Sequence, residues 1–286
     1  MEATAVARAV EAEWCSPSHR FKRGPADSRA MGPEYDFDLD DDPRELDISD
    51  LERIERFKEA GYGGAVADAL HDVGCREFVF DQDFFGVDDD ETLVGRALPV
   101  KLHTYPKTDE VEEFLEQKWE EENDGVHPQK EMMREVEGQP DGSILCFDTG
   151  GDMQPAHFGE MSCTLAKAHG ARGMLCGGNV RDTRYVRQLD DFPIYTMGTV
   201  PNWHGGWEII EVDQPIQLPG HLSHYVVVRP GDFIFGDFDG VQLIPREVVD
   251  EVLLRVEDIY EEENEERRKI EEGMPIDEVY EEYGVL

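Results

Sequence analysis

The hydrophobic positions change period along the chain. From Ser49, "SDLERIERFKEAG" puts Leu51, Ile54 and Phe57 on one helical face, and Ser49 with Glu52 fits a capping box. "AVADALHDVG" predicts a second helix stopped by Gly74. "EFVF" and "TLVGRALPVKLH" predict strands. Residues 105–141 interrupt them. "TDEVEEFLEQKWEEENDG" is an amphipathic acidic helix and "PQKEMMREVEG" a second, together an insertion between two strands.

From residue 143 strand and helix alternate: "SILCFD", "GEMSCTLAKAHG", "GMLCGG", "RDTRYVRQL", "FPIYTMG". This βαβαβ rhythm implies parallel strands with crossover helices, an α/β fold. The pattern then turns all-β through "WEIIEVDQPIQL", "HYVVV", "FIFGD" and "GVQLI", with Pro-Gly and Asp-Gly turns between. Pro245 opens a long helix to about Glu272, and a short acidic helix follows, so residues 246–286 are C-terminal helices. Residues 1–47, rich in Pro, Gly and Asp, are expected to be a flexible acidic extension preceding a domain over 48–286. Asp40, Asp41 and Asp42 lack the spacing of a calcium loop and read as a solvated run.

Charge alters this picture. Against 66 acidic residues stand 27 basic ones, a net charge of −39 within 286 residues that are 39% hydrophobic. The acid is spread along the chain, and arginine exceeds lysine, 19 to 8. Such a surface repels nucleic acid and anionic membranes, so neither is an expected partner. It self-repels at low salt, which points to a cytoplasmic protein of a halophilic organism. An acidic partner face is the alternative, but its charges would cluster. "MEATAVARAVEAEWC" carries glutamates through its apolar positions and does not read as a signal peptide, and no stretch reaches bilayer length. Cys15, Cys75, Cys146, Cys163 and Cys176 form no CxxC pair and read as free thiols.

The candidate chemistry gathers where parallel strands end, since ligands bind beyond their carboxyl ends. Gly159, Glu160 and Met161 fall at a helix N-terminus whose free N–H groups suit a carboxylate. The strand "GMLCGG" delivers Asn179, Arg181 and Asp182 to the same edge, and Gly177 and Gly178 are expected to let the backbone turn and a ligand approach. Arg181 suits a carboxylate or a developing enolate. Asp182 is a hard oxygen ligand, and with Glu160 it suits a divalent cation that keeps several waters. That cation would polarise a 2-keto acid and favour breakage of its neighbouring carbon–carbon bond. Lys167 lies two turns into the helix, so no Schiff-base lysine is placed. An Arg-Asp pair at a strand end is also what an ion pair or helix cap looks like.

The spacing of Glu160, twenty residues, then Arg181-Asp182 resembles the acidic-X20-Arg-Asp signature of the RraA-like family, which includes class II 4-hydroxy-4-methyl-2-oxoglutarate and 4-carboxy-4-hydroxy-2-oxoadipate aldolases. "GAVADAL", "LVGRALPV", "FPIYTMG", "VRPGDFIFGDFDGVQLIPRE" and "ERRKIEEGMPIDEVYEEYGVL" extend the resemblance over about residues 50–286, apart from the insertion. It implies a swivelling β/β/α domain, here with an N-terminal extension and a helical insertion, assembled as a homotrimer or hexamer. It also implies a keto-acid substrate and a divalent cofactor, Mg2+ or Mn2+ or another such cation. By position Arg181 would bind the pyruvyl portion, Asp182 would ligate the metal, and Glu160 would hold metal-bound water. The amides near Gly159, Glu160 and Met161 would take the substrate carboxylate, and Glu263 would reach a neighbouring subunit's metal site through water. Glu160 and Gly177 stand where the family usually has aspartate.

The expected activity is cleavage of a 4-hydroxy-2-oxo acid to pyruvate and a second carbonyl compound, with oxaloacetate decarboxylation as a side reaction. The resemblance leaves two alternatives: a non-catalytic regulator of ribonuclease activity, or a sugar-derived keto acid recognised through the insertion. Elsewhere, Trp203, His204 and Trp207 read as a specificity wall, a lid or a packed loop. His221 and His224 lack zinc partners, Asp237 and Asp239 fit a turn, and "TGGDMQ" lacks a phosphate-loop lysine.

Overall fold

The computed structural model describes residues 33–39, 41–88, 91–122, 125–203 and 205–284. In chain order it has α1 (Asp50–Ala60), α2 (Gly63–Asp72), β1 (Phe85–Gly86), β2 (Leu93–Thr104), α3 (Val111–Glu122), α4 (Pro128–Glu137) and β3 (Ser143–Asp148). There follow β4 (Ala156–Phe158), α5 (Glu160–Ala168), β5 (Ala171–Val180), α6 (Thr183–Val186), β6 (Ile194–Thr199), β7 (Trp207–Val212) and β8 (Ile216–Pro219). Last come β9 (Tyr225–Val228), β10 (Phe233–Asp237), β11 (Gly240–Ile244), α7 (Val249–Glu271) and α8 (Ile276–Glu282).

The strands β3, β5 and β6 pair in parallel, as the alternation predicts, and β2 joins them in parallel with β3. Strand β2 is the hub of the sheet. Its first half pairs antiparallel with β10, its second half with β7, and its other edge with β3. The sheet order is β1-β6-β5-β3-β2-β10-β11, and β8–β9 forms a separate hairpin. Most side chains of β2 and β3 are buried, because both faces of these strands are covered.

Apolar side chains divide into three groups. Helices α1, α2 and α7 cover one region through Phe57, Val66, Leu253 and Phe235. The second lies under α4 and α5 and includes Met132, Met133, Phe147 and Phe158. The third, between the sheet and the β8–β9 hairpin, includes Phe80, Leu93, Tyr195 and Leu218.

Ser49 caps α1, its Oγ accepting from the Glu52 N–H at 3.2 Å, the serine half of the expected capping box. Two strand expectations need correction. "EFVF" makes only isolated bridges, Val79 to Gln242 and Phe80 to Gly220, because it crosses between β11 and the hairpin. "WEIIEVDQPIQL" is broken by Asp213 in the left-handed region (φ 58°), and its halves enter different sheets. The long C-terminal helix begins at Val249; before it Pro245–Val248 closes a turn, with the Val248 N–H donating to Pro245 O at 3.0 Å.

Residues 1–32 of the expected extension, Asp40 and the His204 of the aromatic loop lie outside the described residues. The strap before α1 is packed: Phe37, Leu39, Leu46 and Ile48 rest on the α1–α2–α7 group. Arg44 forks onto Glu251 at 2.7 and 3.0 Å, and Arg229, buried on Asp232, stacks 4.6 Å over Tyr35. The insertion, 105–141, holds α3 and α4 and is the crossover from β2 to the parallel β3.

Candidate active site

The short strand β4 pairs in parallel with the end of β5, setting Phe158 opposite Val180. The Arg181 N–H donates to Phe158 O at 2.9 Å, so Gly159 lies directly beside Arg181 and Asp182. A methyl group on Gly159 would stand 2.5 Å from Asp182 Oδ2 and 3.1 Å from Arg181 Cγ. Only glycine leaves room there for the two side chains.

Asp182 itself is left-handed, φ 59° and ψ 28°, an uncommon state for a non-glycine residue. Its carbonyl caps α6, accepting from the Tyr185 and Val186 N–H groups at 2.8 and 3.1 Å. Its carboxylate makes no cap bond and stays half exposed, 3.6 Å from Arg181 Nε. That separation exceeds a hydrogen bond, so the two groups are not locked on each other.

Helix α5 begins at Glu160 with Gly159 as its N-cap and no side-chain cap, which leaves its first N–H groups free of side-chain partners. Glu160 accepts from Thr164 Oγ1 at 2.8 Å, a bond within its own helix. The charges of both Glu160 and Asp182 act on the intervening Cys163, whose thiol is pushed up to about 12, first by burial and then by Cys176 and these carboxylates. Among the described residues no three or more of His, Cys, Asp and Glu converge as a metal-ligating set. The donors on offer are two carboxylates. Such a donor set would suit a cation that keeps most of its waters, as magnesium does, rather than a protein-caged zinc.

Arg181 and Gly159 also line a cavity of about 290 Å³. His157, Phe158 and Ser162 continue that wall, and the loop and strand after β6 add Trp203, Trp207 and Glu208. The insertion also contributes to the lining. Helix α3 presents Glu112, Leu115, Glu116 and Trp119, and α4 begins there with Pro128 and Gln129. Asp182 and Glu160 are not part of the lining; each is the sequence neighbour of a residue that is, Arg181 and Gly159.

The roof is anchored by a buried acid. Glu208, 4% exposed, accepts from Tyr105 Oη at 2.5 Å, from Trp119 Nε1 at 3.0 Å and from Lys118 Nζ. Burial holds the His127 imidazole below its usual range, and its ring lies 4.4 Å from Trp119.

The other candidate residues lie in varied surroundings. Asn179 is buried and donates to Met153 O at 2.7 Å, tying down the loop after β3. Gly177 and Gly178 lie inside β5, where a methyl group would strike Leu218 and His157 respectively, so they permit close packing and do not form a ligand's approach. Lys167 donates to Asp190 O, across the end of its helix. Met161 contributes its backbone N–H at the start of α5 while its side chain is 73% exposed. Glu263, on α7, accepts from Tyr62 Oη and pairs with Arg267, outside the Arg181 cavity. Sequence reasoning did not reach Glu112, Glu116, Gln129, His157, Ser162 or Glu208. The one available signal was the i, i+4 face of α3, whose partner no pattern names.

A family model described as RraA-like, Aldolase/RraA, matches residues 64–243. A Halalkalibacterium halodurans protein named "Putative 4-hydroxy-4-methyl-2-oxoglutarate aldolase" is 35% identical over 112 residues, 39% of this chain. The match spans half of that relative's length, 50%. Two solved structures share the fold. An uncharacterized protein from Pseudomonas syringae pv. tomato aligns with a TM-score of 0.62 at 17% identity, over 82% of this chain and 99% of that one. Streptomyces coelicolor RraAS2, described as an unusual member of the RNase ES inhibitor RraA protein family, aligns with a TM-score of 0.58 at 19% identity, over 78% and 100%. The swivelling β/β/α fold expected from the resemblance is therefore the fold of this chain.

Proposed function

The chain belongs to the RraA-like family, and on that premise we propose that it is a divalent-metal-dependent lyase cleaving a 4-hydroxy-2-oxo acid to pyruvate and a second carbonyl compound. One observation carries this reading. Arg181 lines a cavity large enough for a small acid, and the half-exposed Asp182 carboxylate lies 3.6 Å from its guanidinium, too far for a hydrogen bond between them.

Each residue then has one task. The free N–H groups at the start of α5 and the Arg181 guanidinium hold the substrate carboxylate and orient the 2-keto group. Asp182 would hold the cation directly and Glu160 would hold one of its waters. When bound, the cation supplies the positive charge that polarises the keto oxygen. The left-handed backbone of Asp182 aims its carboxylate past the helix it caps, which keeps it available. The cavity wall shields the reacting carbons from bulk water.

The protein is also proposed to form a homotrimer or hexamer. Exposed Met161, Leu165 and Tyr185 beside the site offer apolar surface for a neighbouring subunit. Sedimentation in high salt tests this.

The activity test is pyruvate release from 4-hydroxy-2-oxo acids in high salt, with magnesium and with a chelator. Arg181→Ala and Asp182→Asn are each expected to lose at least about 10²-fold in kcat/KM. Asn tolerates the left-handed position, so the second variant should fold normally. Full activity in either variant would sink the mechanism. A protein that releases no pyruvate, yet binds a ribonuclease in high salt, would instead be a regulator.

A further inference from the structure

The end of α3 and the start of α4 meet beside the cavity. His127 is the N-cap of α4, with an extended backbone at φ −63° and ψ 131°. Its Nδ1 accepts from the Gln129 N–H at 3.1 Å, a bond that requires the neutral ring with its proton on Nε2. The ring packs on Trp119 of α3, with centroids 4.4 Å apart. Trp119 in turn donates to the buried Glu208. Beyond the cap, Gln129 Nε2 makes a long hydrogen bond of 3.4 Å to Ser162 Oγ, in the first turn of α5. Trp119, His127, Gln129 and Ser162 line the cavity together with Arg181.

A cap of this kind depends on the charge of the ring. An N-cap must accept a hydrogen bond, and an imidazolium has only donors. Protonation turns the bond at Nδ1 into two opposed N–H groups. It also sets a positive charge against the positive end of the α4 dipole. The charged and titratable groups on the surrounding elements act both ways. They are Glu112, Glu116 and Glu120 on α3, Lys130 and Glu131 on α4, Glu208 on β7 with its partner Lys118, and His157 and Arg181 in the same lining. The carboxylates favour the charged ring. Glu208 is already matched by Lys118, and the α3 acids are exposed, so molar salt confines their reach to about 3 Å. Glu131 stands four residues along the helix, an attraction weaker than a cap. The lost cap therefore decides the sign, and burial acts in the same direction.

We infer that His127 is a pH-operated latch on the cavity wall: the neutral ring holds the first turn of α4 between Trp119 and Ser162, and the imidazolium releases it. Release withdraws Gln129 from Ser162, a contact through which α4 touches α5 at the cavity. It also frees Trp119 from the ring that packs on it, so α3 loosens with α4. The latch goes beyond the lyase reading and stands without it. Its stabilisation is complete above the ordinary imidazole value of 6.5 and is lost as the pH falls below it.

The test is amide hydrogen exchange of residues 111–122 and 129–133 in the full chain, in molar KCl, at about pH 8 and about pH 5. The intrinsic rates in both spans are independent of residue 127, so parent and variant are compared at one pH. His127→Asn and His127→Asp keep a cap acceptor that does not titrate over this range, and either serves if the other fails to fold. His127→Ala has no cap at either pH. The ratio of the parent's rate to that of His127→Asn is expected to rise at least about fivefold between pH 8 and pH 5, in both spans. The same rise is expected against His127→Asp, while the parent should approach His127→Ala. A ratio that stays constant between the two pH values would overturn the inference. So would a rise confined to residues 129–133, which would be a fraying helix end and not a latch.

Discussion

Gly159→Ala probes the site through a single methyl group. The backbone at Gly159 is extended, φ −135° and ψ −176°, so alanine is allowed there and introduces no torsional strain. The new carbon would meet Asp182 Oδ2 at 2.5 Å and Arg181 Nε at 3.2 Å. The carboxylate must retreat by about 1 Å to reach ordinary contact distance. Its backbone cannot follow, because the Asp182 carbonyl caps α6 and the Arg181 N–H is bonded to β4. The side chain alone rotates, and Arg181 is pushed with it. A displacement of about 1 Å at reacting groups costs about 10²-fold. Replacing glycine by alanine at an N-cap costs only about 0.5–1 kcal/mol of stability. The expected result is a kcat/KM for pyruvate release down about 10²-fold, a weakened response to magnesium and a melting temperature within a few degrees of the parent. Activity within about threefold of the parent, with the same magnesium midpoint, would refute the claim that Arg181 and Asp182 must hold these positions.

Lys118→Met leaves Glu208 buried with two neutral donors and should destabilise the protein by about 3 kcal/mol in denaturant titrations; Lys118→Met with Glu208→Gln should recover part of that loss. Arg44 hydrogen bonds hold the Glu251 carboxyl down to about 2 from an ordinary 4.5. Because the folded value is depressed, its stabilisation is full above pH 4.5 and is lost as the pH falls through 2. Such a shift corresponds to at most about 3 kcal/mol, and screening of half-exposed Arg44 reduces it to roughly 1–2 kcal/mol. Arg44→Ala should therefore be destabilised by that amount at pH 7, with the difference shrinking over this acid window. With a net charge of −39, the melting temperature should rise as KCl is raised from dilute buffer to molar concentrations, and no rise would remove self-repulsion as a factor.

The elements that were legible in the sequence are those whose own side chains determine them. Leu51, Ile54 and Phe57 specify a helix face, and the buried run of β3 needs nothing outside itself to read as a strand. Arg181 and Asp182 were legible for the same reason, since adjacency at a strand end fixes their location. Glu208 was not. In "WEIIEV" it reads as an outward polar position, yet it is buried because Lys118 and Trp119, about ninety residues earlier, arrive to bond it. A register shift between Lys101 and Leu102 in the partner strand also breaks the alternation there. Gly177 and Gly178 misled because glycine permits both a close ligand and a close side chain, and only the packed neighbours distinguish the two.

The topology puts the proposed catalytic residues and the insertion on different segments. Strands β2, β3, β5 and β6 are parallel, so all four release their chains at one edge of the sheet. The segment after β3 returns as β4 and supplies Gly159, the segment after β5 supplies Arg181 and Asp182, and the segment after β6 supplies Trp203. The segment after β2 must cross to β3 outside the sheet, and a parallel pair requires such a crossover whatever its sequence. Here that obligatory crossover carries α3 and α4, so lengthening it builds a wall over the site without disturbing a strand. Arg181 and Asp182 are held by β4 and α6, not by the crossover. Changing the crossover should therefore alter which acid is accepted and leave the dependence on Asp182 as it was.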